Sequence, residues 1–329
     1  MIKELAIRNF RGFGSLTIQP LSRINLIAGK NNVGKTALLQ AILLLQDPLR
    51  LLRNFEKSEL LPRLPTVGDM KTRWGWLFYE TRQDIDVWLR SEDKLGAART
   101  LRLEWELTTN SHESDRLFIK VQDSIGEFDA EIASQQIKTN NITVPLIGEI
   151  PSRWVRSPQQ NATAFNDLVT NKREDELLSA LQRLEPRLRQ LRLLIPNGQP
   201  TICGDIGIGP FMPLELMGEG IQRILSIVFE IARARQGIVL IDEIENGLHH
   251  SVITDVWSVV GEAAKRADVQ VFATTHSWEC IQSAYQAFEQ NRPDDFRLHR
   301  LERIKNNIEA VTYDHDSLTG AMQFDFEVR

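Results

Sequence analysis

A glycine-rich loop between a short apolar strand and an apolar helix restricts the fold of this chain more than any other feature. Residues 29–36 read Gly-Lys-Asn-Asn-Val-Gly-Lys-Thr and fit the pattern G-x-x-x-x-G-K-T. Residues 23–28, before the loop, are typical of a buried strand, and residues 37–46, after it, are typical of a helix. In this strand–loop–helix order the pattern predicts a phosphate-binding loop. The alternative, a chance glycine-rich turn, is disfavoured by the complete match.

The loop also predicts how a nucleotide would be held. Its glycines let backbone N–H groups turn towards phosphate oxygens, and the following helix points its positive end at the same anion. We expect Lys35 to reach the β- and γ-phosphates and Thr36 to hold Mg²⁺. The residues expected to contact the nucleotide are Gly29, Lys30, Asn31, Asn32, Val33, Gly34, Lys35 and Thr36.

A second apolar run ends in two acids. Residues 237–241 read Gly-Ile-Val-Leu-Ile and are followed by Asp242 and Glu243. The run suits a strand buried on both faces of a parallel sheet, and acids at its carboxyl end lie where such sheets bind ligands. We expect Asp242 to support Mg²⁺ and Glu243 to polarise the attacking water. Two solvated acids that cap a strand are the alternative interpretation.

A third apolar run, Val-Gln-Val-Phe-Ala-Thr at residues 269–274, predicts another buried strand that ends just before His276. At that position a histidine can donate a hydrogen bond to the γ-phosphate, and we expect His276 to sense it. An isolated histidine is more often a structural residue, but its place after the acid-ended strand favours the functional interpretation. The candidate catalytic residues are therefore Lys35, Glu243 and His276.

The loop, the acid pair and the histidine together resemble those of the ATP-binding-cassette (ABC) ATPases. Ras-like GTPases use an NKxD motif instead, and the nearest approximation, residues 171–174, ends in Glu174. The segments IRNFRGFGSLTIQPLSRINLIAGKNNVGKTALLQAI, IDEIENGLHH and FATTHS resemble the RecF, SMC and OLD branch, which includes bacterial defence and DNA-repair ATPases. The resemblance implies an α/β fold: an ABC-type mixed sheet with a P-loop, flanking helices and a β-rich and helical lid insertion.

The same resemblance implies a composite site between two subunits. In that family a signature loop opens a helix and contacts the γ-phosphate bound to the opposite subunit. Here Gly218, Glu219 and Gly220 match that loop, ahead of an apolar helical pattern over 221–235. The family usually has a serine where this chain has Gly218, so backbone N–H groups and the helix N-terminus would remain as phosphate contacts. A plain glycine-rich helix cap is the alternative.

Two further segments take a role from the resemblance. The loop over 245–248 would cross to the partner subunit, although from its residues it is simply an Asn-Gly turn. Arg8 and Arg11 would lie beside the adenine or the phosphates, and a solvated edge suits them equally well.

The middle of the chain separates the two halves of the predicted site. We expect residues 1–46 and 200–329 to form the ATPase core and residues 47–199 to form the insertion. Apolar alternation over 84–89, 99–107 and 117–121 predicts antiparallel strands there. Residues 172–193 are predicted to be helical, with Pro186 restarting a second helix. Because no heptad run or CxxC pair occurs, a long coiled-coil arm with a zinc hook is excluded, and we expect a compact lid.

Charge and composition limit the possible partners and location. The net charge is −5, which excludes a generally basic nucleic-acid coat. Two local basic groups still allow contact with nucleic acid, although solvated helix faces are the commoner explanation. Two distant cysteines exclude a zinc ribbon and a disulfide framework. With neither an apolar run long enough to cross a membrane nor a signal peptide, we expect a cytoplasmic protein without a membrane partner. The basic groups are Arg50, Arg53, Lys57 and Arg63, and Arg183, Arg187, Arg189 and Arg192.

These observations predict an ATPase switch that uses ATP and Mg²⁺, forms a homodimer through its ATP sites and acts in antiphage defence or DNA repair. Residues 278–329 are accounted for by a helix and two strands, so we expect a separate effector protein, for which a nuclease is one candidate. Asp314 and Asp316 form a D-x-D pair that can bind metal, but a polar turn is favoured. Two alternatives stay open: a nucleotide-dependent sensor or scaffold with little turnover, and the nucleotide-binding subunit of a membrane transporter.

Overall fold

The computed structural model describes residues 1–52, 60–61, 74–106, 115–132, 137–139, 144–152, 156–289, 293–305 and 307–323. Within these ranges the chain forms three β-sheets with helices packed between and against them. The fold is the mixed α/β architecture that the sequence predicts.

The largest sheet is antiparallel and has seven strands. The strands expected from the apolar alternation in the middle of the chain are present, and they extend the hairpin formed by the first two strands. In β5, Leu101 and Leu103 are buried while Arg102 between them is exposed, as expected for a sheet with one covered face. In spatial order the strands are β2 (Phe13–Ile18), β1 (Ile2–Phe10), β4 (Val87–Asp93), β5 (Ala98–Glu106), β6 (Arg116–Gln122), β7 (Glu127–Ile132) and β8 (Ile137–Thr139).

The second sheet has six strands and carries the predicted site. Its neighbouring strands are parallel except for the pair at one edge, β15 and β16. Every residue of β3, β13 and β14 is buried, which explains why these strands are continuous apolar runs in the sequence. The spatial order is β16 (Asn307–Tyr313), β15 (Phe296–Ile304), β3 (Ile24–Ala28), β14 (Gln270–Thr275), β13 (Ile238–Ile241) and β9 (Ile147–Ile150).

Helix α1 (Lys35–Gln46) lies between these two sheets, packed against β4 and β5 on one side and β14 on the other. Its residues from Leu38 to Gln46 are all buried, as expected for a helix that is apolar on every side. The short helix α2 (Leu49–Leu52) follows it. Because α1 is enclosed by both sheets, the loop at its N-terminus is fixed on a rigid base.

A second core fills the opposite face of the six-stranded sheet, where buried aliphatic side chains surround Trp257 and Phe229. The helix predicted over 221–235 is present, as is the one expected after His276. The helices that bury their apolar faces here are α3 (Pro158–Thr170), α4 (Glu174–Gln182), α5 (Glu219–Arg233), α6 (Ile253–Ala267), α7 (Trp278–Glu289) and α8 (His315–Gln323).

A small third sheet corrects one prediction. The sequence predicts helix over 172–193, but α4 ends at Gln182 and residues 190–193 belong to strand β10 (Gln190–Leu194). This strand pairs antiparallel with β11 (Thr201–Asp205), which pairs in turn with β12 (Met212–Pro213). A turn with Asn197 and Gly198 at positive φ closes the hairpin, so the turn and the pairing with β11 override the helical pattern.

Residues 47–199 share sheets with the rest of the chain. Strands β4 to β8 continue the sheet begun by β1 and β2, and β9 pairs with β13 in the six-stranded sheet. The division into a core over 1–46 and 200–329 and an insertion over 47–199 stays a prediction.

Ion pairs account for several of the basic residues singled out in the sequence. Arg50 pairs with Asp47 and with Glu149. Arg183 pairs with Glu262, and Arg187 pairs with Glu185. Arg53, Lys57 and Arg63 lie outside the described residues.

Candidate functional site

Three neighbouring parallel strands end at the same edge of the six-stranded sheet. Strand β3 leads into Gly29, β14 leads into His276, and β13 leads into Asp242. In the register of the sheet, Thr275 lies opposite Ala28 and Ile241 lies opposite Ala273. The glycine-rich loop, the acid pair and the histidine therefore meet at the carboxyl edge, where parallel sheets bind ligands.

The backbone of the loop requires glycine at two positions. Gly29 and Gly34 have φ values of 146° and 106°, in the region that side chains rarely adopt. A Cβ atom at Gly29 would lie 2.7 Å from the carbonyl oxygen of Leu301, and one at Gly34 would lie 2.9 Å from the Phe13 ring. Any side chain at these two positions would deform the loop.

The N-terminus of α1 fits an anion. The helix begins at Lys35, Gly34 offers no side-chain cap, and the first turn holds no acidic residue. Its first N–H groups and its positive dipole end are therefore directed at the loop. Nζ of Lys35 donates to the carbonyl oxygens of Gly29, at 2.7 Å, and Lys30, at 3.1 Å. Burial lowers the pKa of Lys35, against the opposing influence of three nearby carboxylates, Glu243, Asp242 and Glu245.

Oxygen atoms from three segments converge beside the lysine. The Thr36 hydroxyl lies 3.1 Å from each carboxylate oxygen of Asp242. The Thr274 hydroxyl donates to Asp242 at 2.7 Å. Hydroxyl and carboxylate oxygens are the protein ligands that Mg²⁺ prefers. The Thr36 hydroxyl and the Asp242 carboxylate already face each other. Thr36 and Asp242 thus have the chemistry to hold the ion.

Glu243 follows Asp242 with a left-handed backbone, at φ 48°. Its N–H donates to the hydroxyl of Thr274 at 2.8 Å, which ties the turn to β14. Its side chain is partly exposed and lies 3.8 Å from Nδ1 of His276. The structure therefore brings these two predicted residues together, with access to solvent.

Arg223, in the first turns of α5, is a further residue of the site that was not among the predicted ones. It is 6% exposed, and its guanidinium donates to the backbone carbonyl oxygens of Pro151, at 3.0 Å, and of Asp242 and Glu243, both at 2.9 Å. Burial lowers its pKa to about 10, in spite of the nearby carboxylates Glu245, Asp242 and Glu243. No signal in the sequence marks it, because a cation near a helix start is ordinarily solvated.

Glu245 was expected only as part of the loop that crosses to the partner subunit, and its contact within its own chain was missed. One of its carboxylate oxygens accepts hydrogen bonds from the Thr275 hydroxyl, at 2.7 Å, and from the backbone N–H of His276, at 3.1 Å. It thus contacts the segment that carries the predicted sensor.

Gly218, Glu219 and Gly220 lie where α5 begins. Gly218 and Glu219 are exposed, and the helix has no side-chain cap. Gly218 has φ 105°, and a Cβ atom there would meet no other atom within 4 Å. Glu219 lies beside the Asn-Gly turn, since a Cβ atom placed on Gly247 would be 3.5 Å from a carboxylate oxygen of Glu219. The predicted signature segment and crossing loop therefore share one surface.

The arginines near the chain start contact tryptophan rings. The guanidinium of Arg8 lies 5.2 Å from the centre of the Trp88 ring, and that of Arg11 lies 4.9 Å from the centre of Trp76. Burial lowers the pKa of Arg11. Their predicted contact with a nucleotide stays a prediction.

Asp314 is accounted for as a helix cap. It directly precedes α8, and its carboxylate accepts hydrogen bonds from the backbone N–H of Ser317, at 3.0 Å, and from the hydroxyl of Ser317, at 2.6 Å. Among the described residues no cluster of three or more histidine, cysteine or acidic side chains suitable for a metal is found.

Comparison with known proteins places the chain in a family. Its sequence matches the model of the AAA ATPase domain over residues 1–72 and 83–281, which is most of its length. The chain belongs to this ATPase family. The prediction that the protein is a P-loop ATPase is confirmed, and its fold agrees with the ABC-class RecF and SMC branch that the sequence resembles.

Relatives and solved structures agree with this assignment. An ATP/GTP phosphatase of Helicobacter pylori is 24% identical over 333 residues, covering 86% of this chain and 87% of that protein. A Methanocaldococcus jannaschii protein is 29% identical over 134 residues, covering 40% of this chain and 60% of that protein.

Two solved SMC heads share the fold. One, bound to the C-winged helix domain of ScpA, has a TM-score of 0.54 at 14% identity and covers 98% of this chain and 99% of its own. The other carries an extended coiled coil and is bound to the C-terminal domain of ScpA derived from Pyrococcus furiosus. Its TM-score is 0.51 at 11% identity, with 99% of each chain covered. In the part of this chain that the structure describes, no helix combines the length and apolarity needed to cross a membrane.

Proposed function

We propose that this ATPase is an ATP-driven switch that forms a homodimer around two bound nucleotides. In this dimer, backbone N–H groups of Gly218, Glu219 and Gly220 of one subunit contact the γ-phosphate held by the loop of the other, while the Glu219 carboxylate lies beside the turn at Gly247. The observation that carries the proposal is the start of α5, which is exposed and uncapped on its outer side. On the inner side of the helix, the guanidinium of Arg223 donates hydrogen bonds to the backbone carbonyl oxygens of Asp242 and Glu243. A helix start with this geometry suits an anion brought by another molecule.

The proposed residue roles follow from the geometry. Residues 29–36 surround the phosphates, and Lys35 exchanges its carbonyl partners for phosphate oxygens. Thr36 and Asp242 hold Mg²⁺, which would neutralise phosphate charge when it is bound. Glu243, partly exposed at the strand end, orients the attacking water and accepts its proton. His276 donates a hydrogen bond to the γ-phosphate.

The output of the switch is proposed to come from a separate protein. The two SMC heads that share this fold are each bound to a domain of ScpA, which supports the idea of a partner. The resemblance to the RecF and OLD branch favours a role in antiphage defence or DNA repair, with a nuclease as one candidate effector. Nucleic acid stays a candidate ligand. The cytoplasm is the proposed location.

Measurements of ATP hydrolysis and ATP binding by wild type and three variants test the residue roles. Wild type should bind and hydrolyse Mg·ATP, whereas Glu243→Gln should bind it normally and hydrolyse it at least about 100-fold more slowly, because water loses its base. Lys35→Ala should lose binding in calorimetry, and Lys94→Ala, at an exposed turn, is the control. Equal binding by Lys35→Ala and wild type would overturn the loop assignment, and equal turnover by Glu243→Gln and wild type would overturn the role of Glu243.

One observation favours a second candidate, a nucleotide-dependent sensor with little turnover. Gly218 stands where the family usually has a serine, so the proposed composite site has no hydroxyl there. Single-turnover measurements separate the two functions. If neither wild type nor Glu243→Gln consumes ATP faster than the reaction without protein, the sensor is favoured.

A further inference from the structure

The turn between β14 and α7 is fastened to the loop after the acid pair by one carboxylate oxygen. Oε1 of Glu245 accepts the Thr275 hydroxyl at 2.7 Å and the backbone N–H of His276 at 3.1 Å. The same oxygen lies 3.4 Å from Nδ1 of the His276 ring. Both the backbone and the ring of His276 therefore face a single atom.

In the contact between Glu245 and His276, the carboxylate is largely buried and the imidazole is exposed to solvent. The Glu245 side chain is 11% exposed, whereas that of His276 is 49% exposed. Burial of a carboxylate is costly unless it is compensated by hydrogen bonds. In the described part of the chain the second oxygen of Glu245 is buried without a hydrogen-bond partner, so the contacts of the side chain are concentrated on the histidine segment.

Two carboxylates fix the orientation of the His276 ring. Nδ1 lies between two carboxylates, at 3.4 Å from Glu245 and 3.8 Å from Glu243. A histidine with one ring nitrogen next to acids presents its other nitrogen to whatever approaches from solvent. His276 follows β14 at the carboxyl edge of the sheet, where the phosphate loop also lies.

We propose that Glu245 is a positioning residue that holds His276 in the orientation needed to contact the γ-phosphate. The inference rests on the proposed function of His276 and adds to it the residue that sets its geometry. Glu245 itself contacts no phosphate in this proposal, because a carboxylate beside that anion would repel it. It acts only through the backbone and ring of its neighbour.

A double-mutant cycle tests the proposal on the full chain with Mg·ATP. The proteins are wild type, Glu245→Ala, His276→Ala and the double variant, with kcat and KM measured for each. We expect Glu245→Ala to lower kcat at least about 10-fold and to change KM less than about threefold. Because Glu245 acts through His276, the double variant should match His276→Ala within about twofold. The surface variant Glu309→Ala, on β16, should match wild type.

A conservative variant separates positioning from folding. In Glu245→Gln the amide oxygen can still accept the hydrogen bonds from Thr275 and from the His276 N–H. We expect it to restore kcat to within about threefold of wild type. This comparison keeps the proposal testable even where Glu245→Ala is poorly folded. A Glu245→Gln protein that melts like wild type but turns over as slowly as His276→Ala would overturn the positioning role.

The remaining outcomes each decide a different point. If His276→Ala turns over like wild type, the sensor function of His276 fails, and the inference fails with it. If His276→Ala is slow but Glu245→Ala is normal, the sensor function stands and the positioning role is wrong. If the losses in kcat of the two single variants multiply in the double variant, Glu245 acts independently of His276, which also contradicts the proposal.

Discussion

Arg223 is a buried cation whose observed hydrogen bonds all go to main-chain carbonyl oxygens. These oxygens belong to Pro151, after β9, and to Asp242 and Glu243, after β13. A single side chain from α5 therefore joins the ends of two neighbouring strands. Because Glu243 has a left-handed backbone, its orientation depends on contacts of this kind.

Replacing Arg223 with methionine tests that dependence. Arg223→Met keeps an apolar stem but removes the donor from three carbonyl oxygens, so we expect the free energy of unfolding to fall by about 2–4 kcal/mol. The kcat should fall as well, because the Glu243 backbone is no longer held. Urea denaturation and ATPase assays measure the two effects, with Arg235→Met, at an exposed position, as the control. Unchanged stability would show that these hydrogen bonds contribute little.

The predicted site residues and the missed ones differ in how their positions are determined. Lys35 and Thr36 are located by the fixed spacing of the loop motif. Asp242 and His276 are located by the ends of the apolar runs that they follow, so local sequence alone is enough for all four. Arg223 and Glu245 matter through contacts with residues distant in sequence, such as the carbonyl oxygen of Asp242 and the hydroxyl of Thr275. Neither has a local pattern that distinguishes it from a solvated charge.

At the scale of elements, apolar runs were the more reliable guide. Strands β3, β13 and β14 are buried along their whole length, so their sequences have a single interpretation. Residues 190–193 were predicted to be helical, but they pair with β11 instead. The Asn197-Gly198 turn between the two strands is a local signal for this hairpin that the helical interpretation overlooked.

The C-terminal helix α8 gives a prediction about capping. Because hydrogen bonds from Ser317 favour the charged form of Asp314, its pKa is lowered from 3.8. Asp314→Ala removes this cap and should lower the free energy of unfolding by about 0.5–2 kcal/mol at neutral pH. Because the pKa of Asp314 is lower in the folded state, its charged form stabilises the fold at pH values above its unfolded-state pKa of 3.8.

The difference between wild type and Asp314→Ala should therefore narrow as the pH falls below 3.8 and through the lower folded-state pKa. Asp314→Asn retains an accepting oxygen and should lose less stability than Asp314→Ala at neutral pH. Denaturation curves at several pH values measure this. A difference that grows on acidification would contradict the capping role.

At the scale of the whole molecule, the exposed start of α5 lies near the acid pair at the carboxyl edge of the six-stranded sheet. Arg223 of α5 donates hydrogen bonds to the backbone carbonyl oxygens of that pair. A contact on Gly218 from a second subunit would thus act on the backbone that carries Glu243. In the proposed dimer this arrangement would connect the nucleotide of one subunit to the Glu243 backbone of the other.

The last prediction concerns that dimer. Glu243→Gln with Mg·ATP should be dimeric in light scattering, because ATP is bound but not consumed. Adding Gly218→Asp should abolish the ATP-dependent dimer, since it places a negative charge where the partner's phosphate is expected. Gly96→Asp, at a second exposed glycine where a Cβ atom would meet no other atom within 4 Å, is the control for an added charge elsewhere on the surface. Because Gly218 lies at φ 105° and ψ 162°, where side chains are strained, Gly218→Ala in the same background is the control for that strain. Retention of the dimer by Gly218→Asp, or a strictly monomeric Glu243→Gln protein at every ATP concentration, would refute the composite site. A dimer that persists without nucleotide would refute only its dependence on ATP.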